Sequence, residues 1–271
     1  MRILHVWDQA ATASVIAKWQ KKVFDHHTVV IKNAKHDHLK MTSYYGGIII
    51  NNKYRFVLQA VLLARKFDII HLHDAWFMVV PLKILYPKKK IIMHYHGSLV
   101  RYEMKGKKWR LKWERLCDGI IVATTELLEF EYAKQPHYIP NPVDTDLFKP
   151  VQKRSNLNNA LISLKKGQSS SRTLSNLLYH NISVRLDHIK KEEQVYYESF
   201  PKRLALYEYY VDIPEVNGKI IHANSVCGLQ AMAMNLKVVN WDYTISESLP
   251  EFHRPENVVR EIGKIYSYIL K

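Results

Sequence analysis

Two His-x-His pairs stand out in this 271-residue chain: His71 with His73, and His94 with His96. If each pair lies on a β-strand, alternation puts both members on one face. Neutral imidazole is a common metal ligand, so the pairs invite a metal reading and, with it, a metal-dependent hydrolase. The rest of the sequence does not complete such a site. It has no His-x-x-Glu-His, no His-x-His-x-Asp-His and no carboxylate-rich downstream cluster. Pairs arise by chance among 14 histidines, and no metal is expected.

Other residues offer different chemistry. In His96-Gly97-Ser98, a glycine after a strand-ending His lets a ligand approach the backbone, and a following helix supplies N–H groups. A hydrogen-bonded His at a turn is the plainer alternative. The loop Lys165-Lys166-Gly167-Gln168-Ser169-Ser170-Ser171-Arg172 combines three cations, a glycine and hydroxyls ahead of a helix. A phosphate would find charge and backbone donors there, although the loop lacks the Walker A pattern and an ordinary solvated loop is the alternative. From Arg101 to Arg115 the chain carries seven basic and two acidic residues, with Trp109, Trp113 and Leu116 at helical spacing. Such a helix can lie on anionic lipid or pack its tryptophans on its own sheet.

These groups need elements to position them. Apolar runs at 3–7, 27–31, 68–73, 91–96, 119–124 and 137–139 read as strands. Helical spacing falls between them at 13–24, 52–66, 75–85, 107–116 and 126–133. Short apolar strands alternating with helices imply βαβ units and a parallel sheet, whose ligands gather at the strands' carboxyl ends. Residues 140–150, with Asn141-Pro142-Val143-Asp144 and Pro150, break this alternation and read as a linker. The second half alternates again. Strands are expected at 160–164, 182–186, 194–197, 210–213 and 236–241, and helices at 173–180, 202–209, 225–234 and 256–270.

Composition narrows the classes. At 47% hydrophobic, with 17 Tyr, 8 Phe and 6 Trp, the chain can bury a sizeable core and is not disordered. Cys117 and Cys227 are too few for a disulfide framework or a zinc cage. No run approaches the ~20 apolar residues of a membrane span, and the chain enters a strand directly, so a cytoplasmic protein is expected. The net charge of +15 attracts polyanions. It divides unequally: 24 Lys and Arg against 13 Asp and Glu up to Pro150, then 16 against 12.

Four stretches in the first half, taken in order, resemble the retaining family 4 glycosyltransferases. They are Phe67-Asp68-Ile69-Ile70-His71-Leu72-His73-Asp74, His94-Tyr95-His96-Gly97-Ser98, Cys117 to Thr125, and Tyr138 to Pro150, the last being the most specific. In the second half, Gly228 to Val239 is similar to that family's donor-site helix and the strand after it. The resemblance covers nearly all of residues 1–150 and about 205–241. It implies α/β architecture of the GT-B type, two Rossmann-like parallel-sheet domains facing across a cleft. Residues 1–150 would form the acceptor-side domain and 151–271 a small nucleotide-sugar domain.

The resemblance further implies a hexosyltransferase that moves sugar from a UDP- or GDP-sugar with retention, without metal or other cofactor. His96 would be the active-site His. Lys165, Lys166 and Arg172 would hold the donor diphosphate, and Gln9, Ser14, Gly97 and Arg101 would lie on the acceptor side. An anionic or lipid-linked acceptor, and peripheral membrane contact through 101–116, would suit the basic first half. No specific nucleic-acid partner is expected. Two departures matter. The family's Glu pair is replaced by His222 and Gln230, which face the sugar and the nucleotide, and its Gly-rich first turn becomes Gln9-Ala10-Ala11-Thr12-Ala13-Ser14. Loss of the Glu pair keeps open a second class, a GT-B-like protein that binds a sugar nucleotide or polyanion without chemistry.

Overall fold

The computed structural model describes residues 1–97, 100–101, 110–150, 158–163, 170–189, 195–216 and 219–271. The chain divides into two compact units. The first comprises Met1–Pro142 with Pro255–Lys271, and the second Val143–Arg254.

The first unit holds strands β1 (Arg2–Val6), β2 (His27–Asn33), β3 (Ile48–Ile50), β4 (Ile69–His73), β5 (Lys90–Tyr95), β6 (Gly119–Val122) and β7 (His137–Tyr138). Between them lie α1 (Thr12–Phe24), α2 (Met41–Tyr44), α3 (Lys53–Ala64), α4 (Val79–Leu85) and α5 (Arg110–Glu114). All seven strands are parallel, in the order β3-β2-β1-β4-β5-β6-β7. The order reverses between β1 and β4, so the carboxyl ends of those strands mark the topological switch point.

Alternation sorts the strand residues by face. Leu4, Val6, Ile70, Leu72, Met93, Tyr95, Ile120 and Val122 form one apolar core with Phe56 and Ala60 of α3 and Leu82 of α4. The opposite face carries His5, His71, His73 and His94, all fully buried. Helix α1 covers this face through Gln20, and the chain's last helix, Pro255–Leu270, covers it through Tyr266. That helix buries Val258, Val259, Ile262, Ile265, Tyr266 and Ile269 on one side.

The second unit holds β8 (Asn159–Ile162), α6 (Ser170–Tyr179), β9 (Arg185–His188), α7 (Phe200–Leu204), β10 (Tyr209–Val211) and the antiparallel pair β11 (Glu215–Val216) and β12 (Lys219–Ile220). Helix α8 (Val226–Ala233), β13 (Lys237–Val239) and β14 (Ile245–Ser246) complete it; the terminal helix of the first unit is α9 (Pro255–Leu270). Its sheet runs β14-β13-β10-β8-β9, parallel except for the β13–β14 pair. Here the order reverses between β8 and β10.

Several elements differ from the sequence reading. The expected helix at 126–133 is a single 3-10 turn, Thr125–Glu129. The Tyr132 hydroxyl donates to the Leu127 carbonyl, which a continuing helix would have used. The strand expected at 182–186 sits at Arg185–His188, and the one expected at 194–197 overlaps a 3-10 turn, Tyr197–Ser199. The helix expected at 202–209 ends at Leu204, and Tyr209 already belongs to β10. The domain expected at 151–271 ends at Arg254, because the apolar face of α9 packs on α1 in the first unit.

Candidate functional site

Register assembles the histidines. The pairing of β1 with β4 sets His5 beside His71, and that of β4 with β5 sets His73 beside His94. Parallel partners share a face, so two sequence pairs and a fifth residue become one array. Ring centroids of neighbouring members lie between 4.2 Å (His94–His96) and 5.3 Å. His5 faces Gln20 Oε1 at 2.9 Å and His73 at 3.0 Å. His73 faces His96 at 2.9 Å, and His96 faces Asn141 Oδ1 at 2.9 Å. His71 faces the Tyr266 hydroxyl at 2.6 Å. Burial lowers all five affinities for a proton: His5 and His96 to about 4, and His71, His73 and His94 well below their ordinary value. At neutral pH the array is uncharged.

His96 is the half-buried outer end of this array, one residue past β5. Both of its ring nitrogens are engaged within the unit, by His73 and Asn141, so a contact with a sugar requires trading one of them. Gly97 follows with φ +97°, and a Cβ there would overlap the Arg101 guanidinium. Arg101 pairs with Glu126 and donates to the Thr124 hydroxyl at 3.2 Å. Trp113 packs on the apolar core, which favours the sheet-packing alternative for that tryptophan. Trp109 and the rest of 102–109 lie outside the described residues.

At the first-strand turn, Asp8 is fully buried and takes on the work of a helix cap. It accepts from Ala13 N–H at 2.8 Å and from the hydroxyls of Ser14 at 2.5 Å and Thr42 at 2.9 Å. Burial raises its pKa, and Lys32 together with these hydrogen bonds opposes that rise. Ser14 is thus buried and spent on Asp8, whereas the Gln9 carbonyl accepts from Thr12 N–H at 2.8 Å. Ala10 and Ala11 adopt φ +49° and +64°, the left-handed conformation that a Gly-rich turn would supply without a Cβ.

In the second unit Gln230 is buried, and its amide donates to the Tyr197 hydroxyl at 3.4 Å. His222 is exposed and stacks on Trp241 with ring centroids 4.4 Å apart. Arg172 is an exposed residue on α6; Lys165 and Lys166 lie outside the described residues. Sequence reasoning missed Asp212 just after β10, which accepts from Ser225 N–H at 2.8 Å and from the Asn224 amide at 3.2 Å. A cavity of about 80 Å³ opens beside Asp212, lined by Ile162, Ser163, Pro214 and Cys227 among others. It sits at the carboxyl ends of β8 and β10, the switch point of the second sheet. His5, Gln20 and Tyr266 were also missed; only His5 carried a signal, as a polar residue inside an apolar strand.

Comparison with known proteins agrees with this geometry. The chain is similar in structure to Anabaena HepE, solved in complex with UDP and glucose, at 13% identity and a TM-score of 0.56, covering 99% of this chain and 92% of that one. It is also similar to the UDP-GlcNAc 2-epimerase of Neisseria meningitidis bound to UDP-GlcNAc, at 11% identity and a TM-score of 0.56, covering 99% and 100%. The UDP-N-acetylglucosamine 2-epimerase of Rickettsia bellii follows at 12% identity and 0.52, covering 99% and 97%. At such identities these likenesses show the fold, which is GT-B. A search of curated protein sequences finds no match. The family model described as Glycosyltransferase Family 4 matches residues 5–147, more than half the chain and every member of the histidine array. The chain belongs to glycosyltransferase family 4.

Proposed function

We propose that the protein is a glycosyltransferase moving a hexosyl group from a UDP- or GDP-sugar to an acceptor, with retention and with no metal at the diphosphate. The observation carrying this reading is the family match over the first unit, with His96-Gly97 at the end of β5 near the β1/β4 switch point. The second unit takes the donor, with the diphosphate on the Lys165, Lys166 and Arg172 segment, and the first unit takes the acceptor. His96 exchanges its Asn141 bond for a sugar hydroxyl and stabilises positive charge developing on the ring in the transition state. Cations against the diphosphate stabilise the leaving group electrostatically. The basic first unit favours an anionic or lipid-linked acceptor. Saturation-transfer NMR and calorimetry against a panel of UDP- and GDP-sugars test the reading. Binding of at least one is expected, and folded protein that binds none of them removes it.

One observation favours the non-catalytic alternative, a sugar-nucleotide or polyanion-binding protein. Neither position of the family's Glu pair is acidic, and Gln230 spends its amide on Tyr197. The sugar-nucleotide form of that alternative also predicts donor binding, so a turnover assay separates it from the enzyme, whereas the polyanion-binding form predicts none.

A further inference from the structure

Within the histidine array, one ring nitrogen from each of His5, His71 and His73 lies within 4.8 Å of the other two. All three residues are fully buried. Their outer nitrogens are taken: His5 Nε2 by Gln20 Oε1, His71 Nδ1 by the Tyr266 hydroxyl and His73 Nδ1 by His96 Nε2. The nitrogens left are His5 Nδ1 and His73 Nε2, 3.0 Å apart, and His71 Nε2, which has no hydrogen-bond partner among the described residues.

Counting protons shows what belongs between them. The path from Gln20 Oε1 through His5, His73 and His96 to Asn141 Oδ1 has four polar contacts and an accepting oxygen at each end. Four hydrogen bonds need four protons, and three neutral imidazoles carry three. Gln20 Nε2 donates to the Tyr266 hydroxyl at 3.2 Å, which turns the amide oxygen toward His5. His5 therefore donates from Nε2. His96 donates from Nδ1 to Asn141, so His73 must donate from Nδ1 to His96. The missing proton is the one between His5 Nδ1 and His73 Nε2, where two bare lone pairs meet beside the unpartnered His71 Nε2. His71 offers a third lone pair there when its Nδ1–H donates to the Tyr266 hydroxyl.

We propose that His5 Nδ1, His71 Nε2 and His73 Nε2 bind one d10 transition-metal ion, Zn²⁺ or Cu⁺, as a structural site inside the first unit. Neutral imidazole suits both ions, and a set without oxygen ligands disfavours Mg²⁺ and Ca²⁺. Zinc–nitrogen bonds of about 2.0–2.1 Å need ligand nitrogens only slightly farther apart than the His5–His73 pair. Bonds from the outer nitrogens to Gln20 and His96 hold His5 and His73 in their ligating tautomers, and His71 joins them by donating from Nδ1 to the Tyr266 hydroxyl, as outer partners do in metal sites. The ion also fixes the His73 proton on the His96 side, and so the tautomer of the strand-end histidine. This inference is independent of the glycosyl-transfer reading, and its test uses no sugar.

The experiment titrates chelator-treated full-length protein with Zn²⁺, and anaerobically with Cu⁺, by calorimetry, and follows Co²⁺ uptake by visible absorption. One equivalent of Zn²⁺ or Cu⁺ with a micromolar or lower Kd is expected, with a raised Tm and a visible Co²⁺ absorption that saturates at one equivalent. His71→Asn should weaken binding at least tenfold. Tyr266→Phe, which keeps all three ligands, should weaken it about 10–100-fold. His38→Ala, removing an exposed imidazole, should leave binding unchanged. The proposal is overturned if folded wild type takes up no stoichiometric ion, or if uptake is lost with His38 and retained in folded His71→Asn. It is equally overturned if nitrogen NMR of the metal-free protein finds a proton between His5 and His73 that added metal does not displace. That result would mean the Gln20 or Asn141 amide is reversed and completes the chain unaided.

Discussion

A buried imidazole is a stability term with a defined sign. All five array histidines have folded-state proton affinities below the unfolded value of 6.5, set first by desolvation. Below pH 6.5 the unfolded chain therefore binds protons that the folded chain refuses. The stability these groups contribute is complete above about pH 6.5 and is lost as pH falls toward the folded values, about 4 for His5 and His96. Each histidine contributes up to about 1.4 kcal/mol per pH unit across that window. Urea unfolding at pH 7.5 and 5.5 should show a loss of several kcal/mol at the lower pH. A flat profile would mean the rings are exposed to solvent or already charged. At the first-strand turn, Ala10 is exposed in left-handed backbone. Ala10→Gly should raise stability by up to about 1 kcal/mol, the steric relief exceeding the added chain entropy; thermal unfolding checks it. The sequence already showed a Gly-less turn and two His pairs. It did not show that Asp8 would consume Ser14, or that both nitrogens of His96 would be occupied, because hydrogen-bond partners are chosen by folding.

Elements were legible where periodicity and chemistry agreed. Strands β1, β4, β5 and β6 fall within or near their expected spans, because short apolar runs between helices leave few alternatives. The array itself was not legible, since strand register decides it, and a one-residue slip would send His5 to the apolar face. β3 was missed because Ile48–Ile50 is only three residues long behind Gly46-Gly47. The terminal helix was expected as a helix, yet its partner was not, since amphipathic spacing names a buried face and never what covers it. Ile262 of α9 is fully buried in the first unit. Ile262→Ala should cost about 2–5 kcal/mol, seen as a lowered denaturation midpoint with unchanged m-value. A cost below 1 kcal/mol would mean α9 does not pack there. In the second unit a Cβ on Gly228 would overlap the Asp212 carboxylate. Gly228→Ala should therefore destabilise by about 1–3 kcal/mol, in the same assay.

At the scale of the molecule, the linker expected at 140–150 overlaps the division after Pro142, but the chain returns to its first unit at Pro255. The charge asymmetry sharpens once the boundary is redrawn. The first unit carries 26 Lys and Arg against 13 Asp and Glu, and the second 14 against 12. Nearly all of the net +15 thus belongs to the unit proposed to hold the acceptor. Among the described residues no helix is long and apolar enough to cross a membrane. The attraction proposed between this basic unit and an anionic acceptor should weaken as salt is raised. Proton NMR of donor turnover in the absence of acceptor tests the central claim most directly. With a bound UDP- or GDP-sugar and no metal salt added, wild type should release nucleotide and a sugar that first appears in the donor's own anomeric configuration. His96→Ala should still bind the donor but release the sugar at least ~100-fold more slowly, as for loss of a group stabilising developing charge. Donor binding without release by wild type, or equal release by the folded variant, would contradict the account.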